Sequence, residues 1–201
     1  MATTTSKAKV VIDAENKPEN LPSFKDIIER CFAERPRQST AFNIHGVRLT
    51  LDKRSSNEVS DIWVKFGSNI TMGEAKTQRF VVQYLEANDN PAVRAPRVYI
   101  AFTWCGIGFI VMEYIDGQIC DDSDIALVAA AVQYLITIPS PTSAPGRVGG
   151  GLIEHPFFIN RTSDIWYESV KELQDHINGV STPFCLTLSL LHLGCSPDDN
   201  S

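Results

Sequence analysis

The chain has 201 residues, a mass of 22.3 kDa, 43% hydrophobic and 21% charged residues, and a formal charge of −6. That composition excludes collagen-like, coiled-coil and wholly disordered chains, and the length suits one medium domain or one and a half small ones. A pI near 5.2 also argues against a nucleic-acid binder, although a single nucleotide needs only a few local cations.

The charge is uneven, with three basic and twelve acidic residues in 111–201. A pocket bordered by that region would favour a cationic ligand, and a solvated acidic face is the plainer alternative. Five cysteines (31, 105, 120, 185 and 195) form no C-x-x-C pair, and the first residues are polar without an apolar signal core. Both features lead to the expectation of a reducing, cytoplasmic setting. The longest apolar run, Ile125 to Ile138, contains Gln133 and is too short to cross a bilayer, so no membrane partner is expected.

Residues 1–20 are small, charged and polar, and read as a mobile arm. The next segment, 21–39, holds a helix: Ser23 can cap it, Phe24, Ile27, Ile28, Cys31 and Phe32 share a face, and Pro36 ends it. From Ala41 to Leu51 the pattern turns to β, followed by a polar turn at Lys53–Glu58 and a strand over Ile62–Phe66. Thr71 opens a second helix that runs through Leu85 to the Asn88–Pro91 breaker. Val98–Trp104 and Gly108–Tyr114 then form a hairpin-like pair around Cys105-Gly106.

After Gly117 the pattern becomes helical. Asp121–Leu135 reads as one helix with acids in its first turn, where the helix dipole favours them. Ile138-Pro139-Ser140-Pro141 breaks it, a glycine-rich loop runs to Gly151, and Ser163 caps a further helix ending near Asn178-Gly179. The predicted class is α+β in two parts: a small antiparallel sheet with one helix upon it over 40–116, then a helical region over 117–201.

Two sets of residues are candidates for chemistry. On the strand 62–66, Trp63 and Lys65 share the face opposite Ile62, Val64 and Phe66. Lys65 is either solvent-facing or a partner for Glu74, which sits in the first turn of the next helix. Glu74 also fits a capping box with Thr71, so both readings stand. The second set is Phe109–Gly117, an apolar strand running into an acidic, glycine-ended turn. Its backbone could read a flat heterocycle, or it could be a buried strand and turn alone.

The order of these pieces resembles the protein-kinase-like fold, in the aminoglycoside phosphotransferase and choline kinase branch and its fungal-type members. The matching residues are Val64-Lys65-Phe66-Gly67, Gly73-Glu74-Ala75, Ala95-Pro96-Arg97-Val98-Tyr99 and Ile110-Val-Met-Glu-Tyr-Ile-Asp-Gly117. Ile138-Pro139-Ser140-Pro141, Gly149-Gly150-Gly151 and Pro183-Phe184 are also similar to that branch, so the resemblance spans roughly residues 40–195. It implies a small lobe and a hinge, then a partial helical lobe. The activity it implies is transfer of the ATP γ-phosphate to a small-molecule hydroxyl. By the same resemblance Lys65 contacts the α/β-phosphates of ATP and Glu74 orients it. The Glu113 C=O and Ile115 N–H would bond adenine, with Met112 lining the back of its pocket.

The departures bear on activity. No G-x-G-x-x-G precedes Lys65, and Gly46 is the only glycine before it. Trp63 lies two residues before Lys65, where it either stacks on adenine or fills its pocket. The family's catalytic loop, of the form Thr-His-Gly-Asp-Leu-His-x-Gly-Asn, corresponds here to Thr187–Cys195. Leu188 replaces the histidine, Leu190 the catalytic aspartate and Cys195 the metal-binding asparagine. Neither leucine can accept the proton or hold a metal, so no catalytic residue and no metal site are assigned. The expectation is a C-terminally truncated, kinase-like domain that does not catalyse transfer as written. The alternative is a pseudokinase-type module that binds nucleotide or protein. The apolar stretch Cys185–Leu193 leads to an expectation of poor solubility.

Overall fold

A computed structural model of the chain describes residues 7–34, 44–52, 60–88 and 93–179. The polar turn at Lys53–Glu58, Pro36, Pro183-Phe184 and the altered loop Thr187–Cys195 lie outside the described residues. The chain divides into two compact units, Met1–Pro139 with Arg147–Gly149, and Ser140–Gly146 with Gly150–Ser201.

The first unit is built on an antiparallel sheet. Its strands are β1 (Lys9–Asp13), β2 (Ile44–Thr50), β3 (Asp61–Gly67), β4 (Val98–Trp104) and β5 (Ile107–Glu113), in the order β1-β4-β5-β3-β2. Among the described residues of this unit three α-helices accompany them: α1 (Phe24–Ala33), α2 (Met72–Ala87) and α3 (Ile125–Leu135). The class is therefore α+β, as the patterning predicts.

The arm expected over residues 1–20 is corrected in part, because Lys9–Asp13 is an edge strand paired with β4. Its sequence, Lys-Val-Val-Ile-Asp, is short, and a bulge between Val10 and Ile12 breaks the alternation that would have marked it. Ile12 is nevertheless fully packed in the core.

Strand alternation gives the sheet two apolar faces, and a helix covers each. On one, Ile27, Ile28 and Cys31 of α1 pack on Leu49, Ile62, Val64, Phe66, Phe102, Phe109 and Val111. Phe102 and Phe109 stack at 4.8 Å between ring centroids, and Phe66 stacks on Phe109 at 5.7 Å. Ser23 caps α1, accepting a hydrogen bond from the Asp26 N–H. Truncating a side chain in this layer, such as Ile27, to alanine would cost about 2–5 kcal/mol.

The other face carries Ile12, Ile70, Val98, Ala101, Ile110 and Met112, against which Ala75 of α2 packs. Thr71 caps α2 through the Glu74 N–H. Between β4 and β5 the chain reverses at Cys105 (φ 50°) and Gly106 (φ 77°). Positive φ at both central residues is what a two-residue hairpin turn of type I′ requires.

The segment expected as one helix from Asp121 begins instead as a 3₁₀ turn, Asp122–Asp124, and continues as α3. Asp121 and Asp124 bond each other's backbone reciprocally, and this capping box tightens the entry. None of the side chains of α3 is buried.

In the second unit Ser163 does not cap a helix. It is buried, its Oγ accepting from the Ile153 N–H and donating to the Ile165 carbonyl, so it pins an irregular loop. Helix begins at residue 170 and continues to 179, with Ser169 accepting from the Glu172 N–H. The Tyr167 ring is buried and meets His176 edge to face at 5.6 Å.

Candidate functional site

Two of the candidate residues, Lys65 of β3 and Glu74 of α2, meet on the α2 face of the sheet. Lys65 sits mid-β3, across from Gly46 of β2 and Ile110 of β5. Val64 and Phe66 on either side of it are buried towards α1, so alternation turns the lysine to the opposite face. Its ammonium bonds Glu74 Oε1 at 2.5 Å. Of the two readings open for Glu74, the carboxylate takes the lysine while its N–H serves the Thr71 cap.

A second segment of the same unit braces the first turns of α2. Arg147 Nη1 donates to Thr71 Oγ1 at 2.8 Å, and the Val148 N–H donates to Thr77 Oγ1 at 3.0 Å. Thr71 therefore receives both its own helix and Arg147. The helix start that positions Glu74 is held from two sides.

Met112 is buried on β5 directly across from Trp63 of β3. Gln78 of α2 reaches it, donating to the Met112 sulfur at 3.4 Å and to the Pro96 carbonyl at 2.8 Å. Glu113 closes β5. Its carboxylate accepts from Arg94 at 2.5 Å and from the Arg97 N–H at 3.3 Å, and its own N–H donates to the Arg97 carbonyl at 2.9 Å. Its side chain is thus committed to residues 94–97. Ile115 follows on the segment leaving β5 and is exposed. Lys65 and Glu74 are brought into direct contact, whereas Met112, Glu113 and Ile115 lie along β5 and the chain leaving it.

Four residues join the site that periodicity did not single out. Arg48 Nε donates to Asp61 Oδ1 at 3.0 Å, its Nη1 reaches the Tyr114 hydroxyl at 3.3 Å, and its guanidinium lies 4.2 Å above the Tyr114 ring. This ties the segment leaving β5 to the edge strand β2. The hydrogen bond from Arg48 is the main reason the Asp61 carboxyl is held down at about 2. Gly46, the lone glycine before Lys65, provides the space in which the Trp63 indole lies. The signal for Gly46, Arg48 and Asp61 was cross-strand register, which becomes visible only once β2 and β3 are paired, and Tyr114 joins them through Arg48.

Among the described residues no three His, Cys, Asp or Glu side chains gather to hold a metal. No helix among them is long and apolar enough to cross a membrane. Comparison with protein-family models, curated proteins and solved structures finds no match for this chain.

Proposed function

We propose that the first unit is a nucleotide-binding module of the kinase-like, aminoglycoside phosphotransferase type, carried by a chain that does not itself transfer phosphate. The observation that carries the reading is the Lys65–Glu74 bridge, which joins the middle of a strand to the first turn of the following helix. That is the arrangement by which kinase-like phosphotransferases aim an ammonium at the α/β-phosphates of ATP. Both side chains are about one-third exposed (31% and 35%), so the ammonium is held in place yet remains within reach of a ligand.

In this reading Lys65 binds phosphate and Glu74 orients it. Met112 backs the base, while the Glu113 carbonyl and Ile115 N–H address its edge. A cationic small molecule bearing a hydroxyl is the acceptor class implied by the family and by the acidic residues 111–201. Transfer to that acceptor needs a base and a metal-held triphosphate. Leucine at 188 and 190 and cysteine at 195 supply neither carboxylate nor amide oxygen, so no step is assigned to Mg²⁺.

Calorimetric titration of the full chain with ATP tests the reading. Saturable binding without Mg²⁺ is expected, weakened in Lys65→Met by about tenfold or more, the worth of a charge-assisted hydrogen bond. No phosphate transfer to aminoglycoside or choline is expected. Equal binding by Lys65→Met, or none to the wild-type chain at millimolar ATP, would overturn the reading.

A further inference from the structure

Three residues far along the chain lie across the start of α2. Arg147, Val148 and Gly149 cluster with the first unit, although the chain on either side of them belongs to the second. Arg147 Nη1 donates to Thr71 Oγ1 at 2.8 Å, and the Val148 N–H donates to Thr77 Oγ1 at 3.0 Å. Each hydroxyl has a second bond within the helix. Thr71 Oγ1 accepts the Glu74 N–H at 3.3 Å, and the Thr77 hydroxyl donates to the Gly73 carbonyl at 2.9 Å. The two contacts therefore bracket Glu74, one on each side of it along the helix.

Glycine makes this approach possible. A Cβ at Gly73 would stand 2.6 Å from Arg147 Cδ and 3.3 Å from its Cβ. One at Gly149, where φ is 91°, would stand 2.9 Å from Lys76 Cδ. Glycine within a helix is less favourable than alanine by about 1 kcal/mol. Gly73 thus weakens the helix it belongs to and leaves room for the arginine. The Lys65–Glu74 pair is one-third exposed, and an ion pair that open holds its own geometry only weakly. Its geometry has to be imposed by what surrounds it.

We propose that Arg147 is a positioning residue for Lys65. By fixing Thr71 it sets the first turn of α2, and through Glu74 it sets the place of the ammonium. The proposal rests on the nucleotide-binding reading above for its effect on a ligand, but not for its effect on the lysine.

Labelling of the full chain with acetic anhydride, read by peptide mass spectrometry, reports how readily Lys65 leaves Glu74. Lys25, whose side chain is 81% exposed, serves as the reference. Arg147→Ala and Gly73→Ala should each raise Lys65 labelling about threefold or more, towards the level of Glu74→Gln. Adding Arg147→Ala to Glu74→Gln should raise it no further. ATP affinity by calorimetry should likewise fall in Arg147→Ala, and should fall no further when that substitution joins Glu74→Gln. Gly73→Ala separates positioning from folding: alanine favours the helix, so its melting temperature should not drop while Lys65 labelling rises. Unchanged labelling in Arg147→Ala and Gly73→Ala would overturn the proposal. A rise accompanied by a lower melting temperature in both variants would also overturn it, leaving Arg147 a structural part. Equal losses of ATP affinity with and without Glu74 would do the same, assigning Arg147 a contact with the ligand itself. Absence of ATP binding to the wild-type chain would overturn the nucleotide reading alone, and the labelling would still decide what positions Lys65.

Discussion

Asp61 is the residue whose electrostatics are most clearly set by its neighbours. Its carboxylate accepts from Arg48 Nε and from the Thr50 hydroxyl, each at 3.0 Å, and its acidity shifts from an ordinary 3.8 to about 2. A carboxyl whose folded value is depressed contributes its stability in full above the unfolded value, and that contribution is lost as pH falls through the folded one. Unfolding followed between pH 5 and pH 2 should therefore show the wild-type chain losing stability relative to Asp61→Asn. The two curves should converge near pH 2, and parallel curves would remove the tie from the account. Strand alternation and helix capping, both local signals, place Lys65 on a strand and Glu74 in a first helical turn, but leave open whether the two side chains meet. Arg48, Asp61 and Gly46 give no such signal, since each gains its role from a strand that lies beside it only in the folded sheet.

At the scale of elements, the β4–β5 hairpin is well specified but not optimally. Cys105 occupies a left-handed position with φ of 50°, where asparagine is the favoured non-glycine residue, and Gly106 follows at 77°. Cys105→Asn is expected to raise stability by roughly 0.5 kcal/mol. Gly106→Ala should lower it by about 1 kcal/mol. Urea unfolding monitored by circular dichroism would measure both, and equal midpoints would show that the turn does not limit stability. The turn was readable because cysteine-glycine stands between two apolar runs. The helix placed at Ser163 failed for a complementary reason: a serine before mixed polar residues signals a loop anchor as readily as a cap, and burial of Ser163 against Ile153 and Ile165 decides between them.

Across the whole molecule, the apolar surface is distributed unequally. The sheet is packed on both faces, while α3 is apolar but for Gln133 and the Tyr134 hydroxyl and has Ile125, Leu127, Val128 and Val132 exposed among the described residues. A helix hydrophobic on nearly every side belongs in a core. Val128→Lys with Val132→Glu should therefore raise the concentration at which the chain stays monodisperse, without lowering its melting temperature. Light scattering and calorimetry read the two quantities. A large drop in melting temperature would show that these side chains are already engaged. The α+β class was legible because helical and strand periodicities are well separated along the chain. The strand order was not, because β1 carries too few residues and a bulge.

That strand order also affects how the chain is made. Hairpins β2–β3 and β4–β5 join neighbours in sequence, but Val10 of β1 pairs with Phe102 of β4. Contacts between such distant residues form late, because the intervening loop must first be closed. On a ribosome, β1 is synthesised first and completed last. Until residue 102 emerges, Ile12 has no strand to dock against and both edges of β1 are open to other chains. The interval most exposed to misassembly is thus the synthesis of β2, β3 and the start of β4. Slowing translation before residue 98 would lengthen that interval, whereas slowing it after residue 113 would leave β1 time to close the sheet.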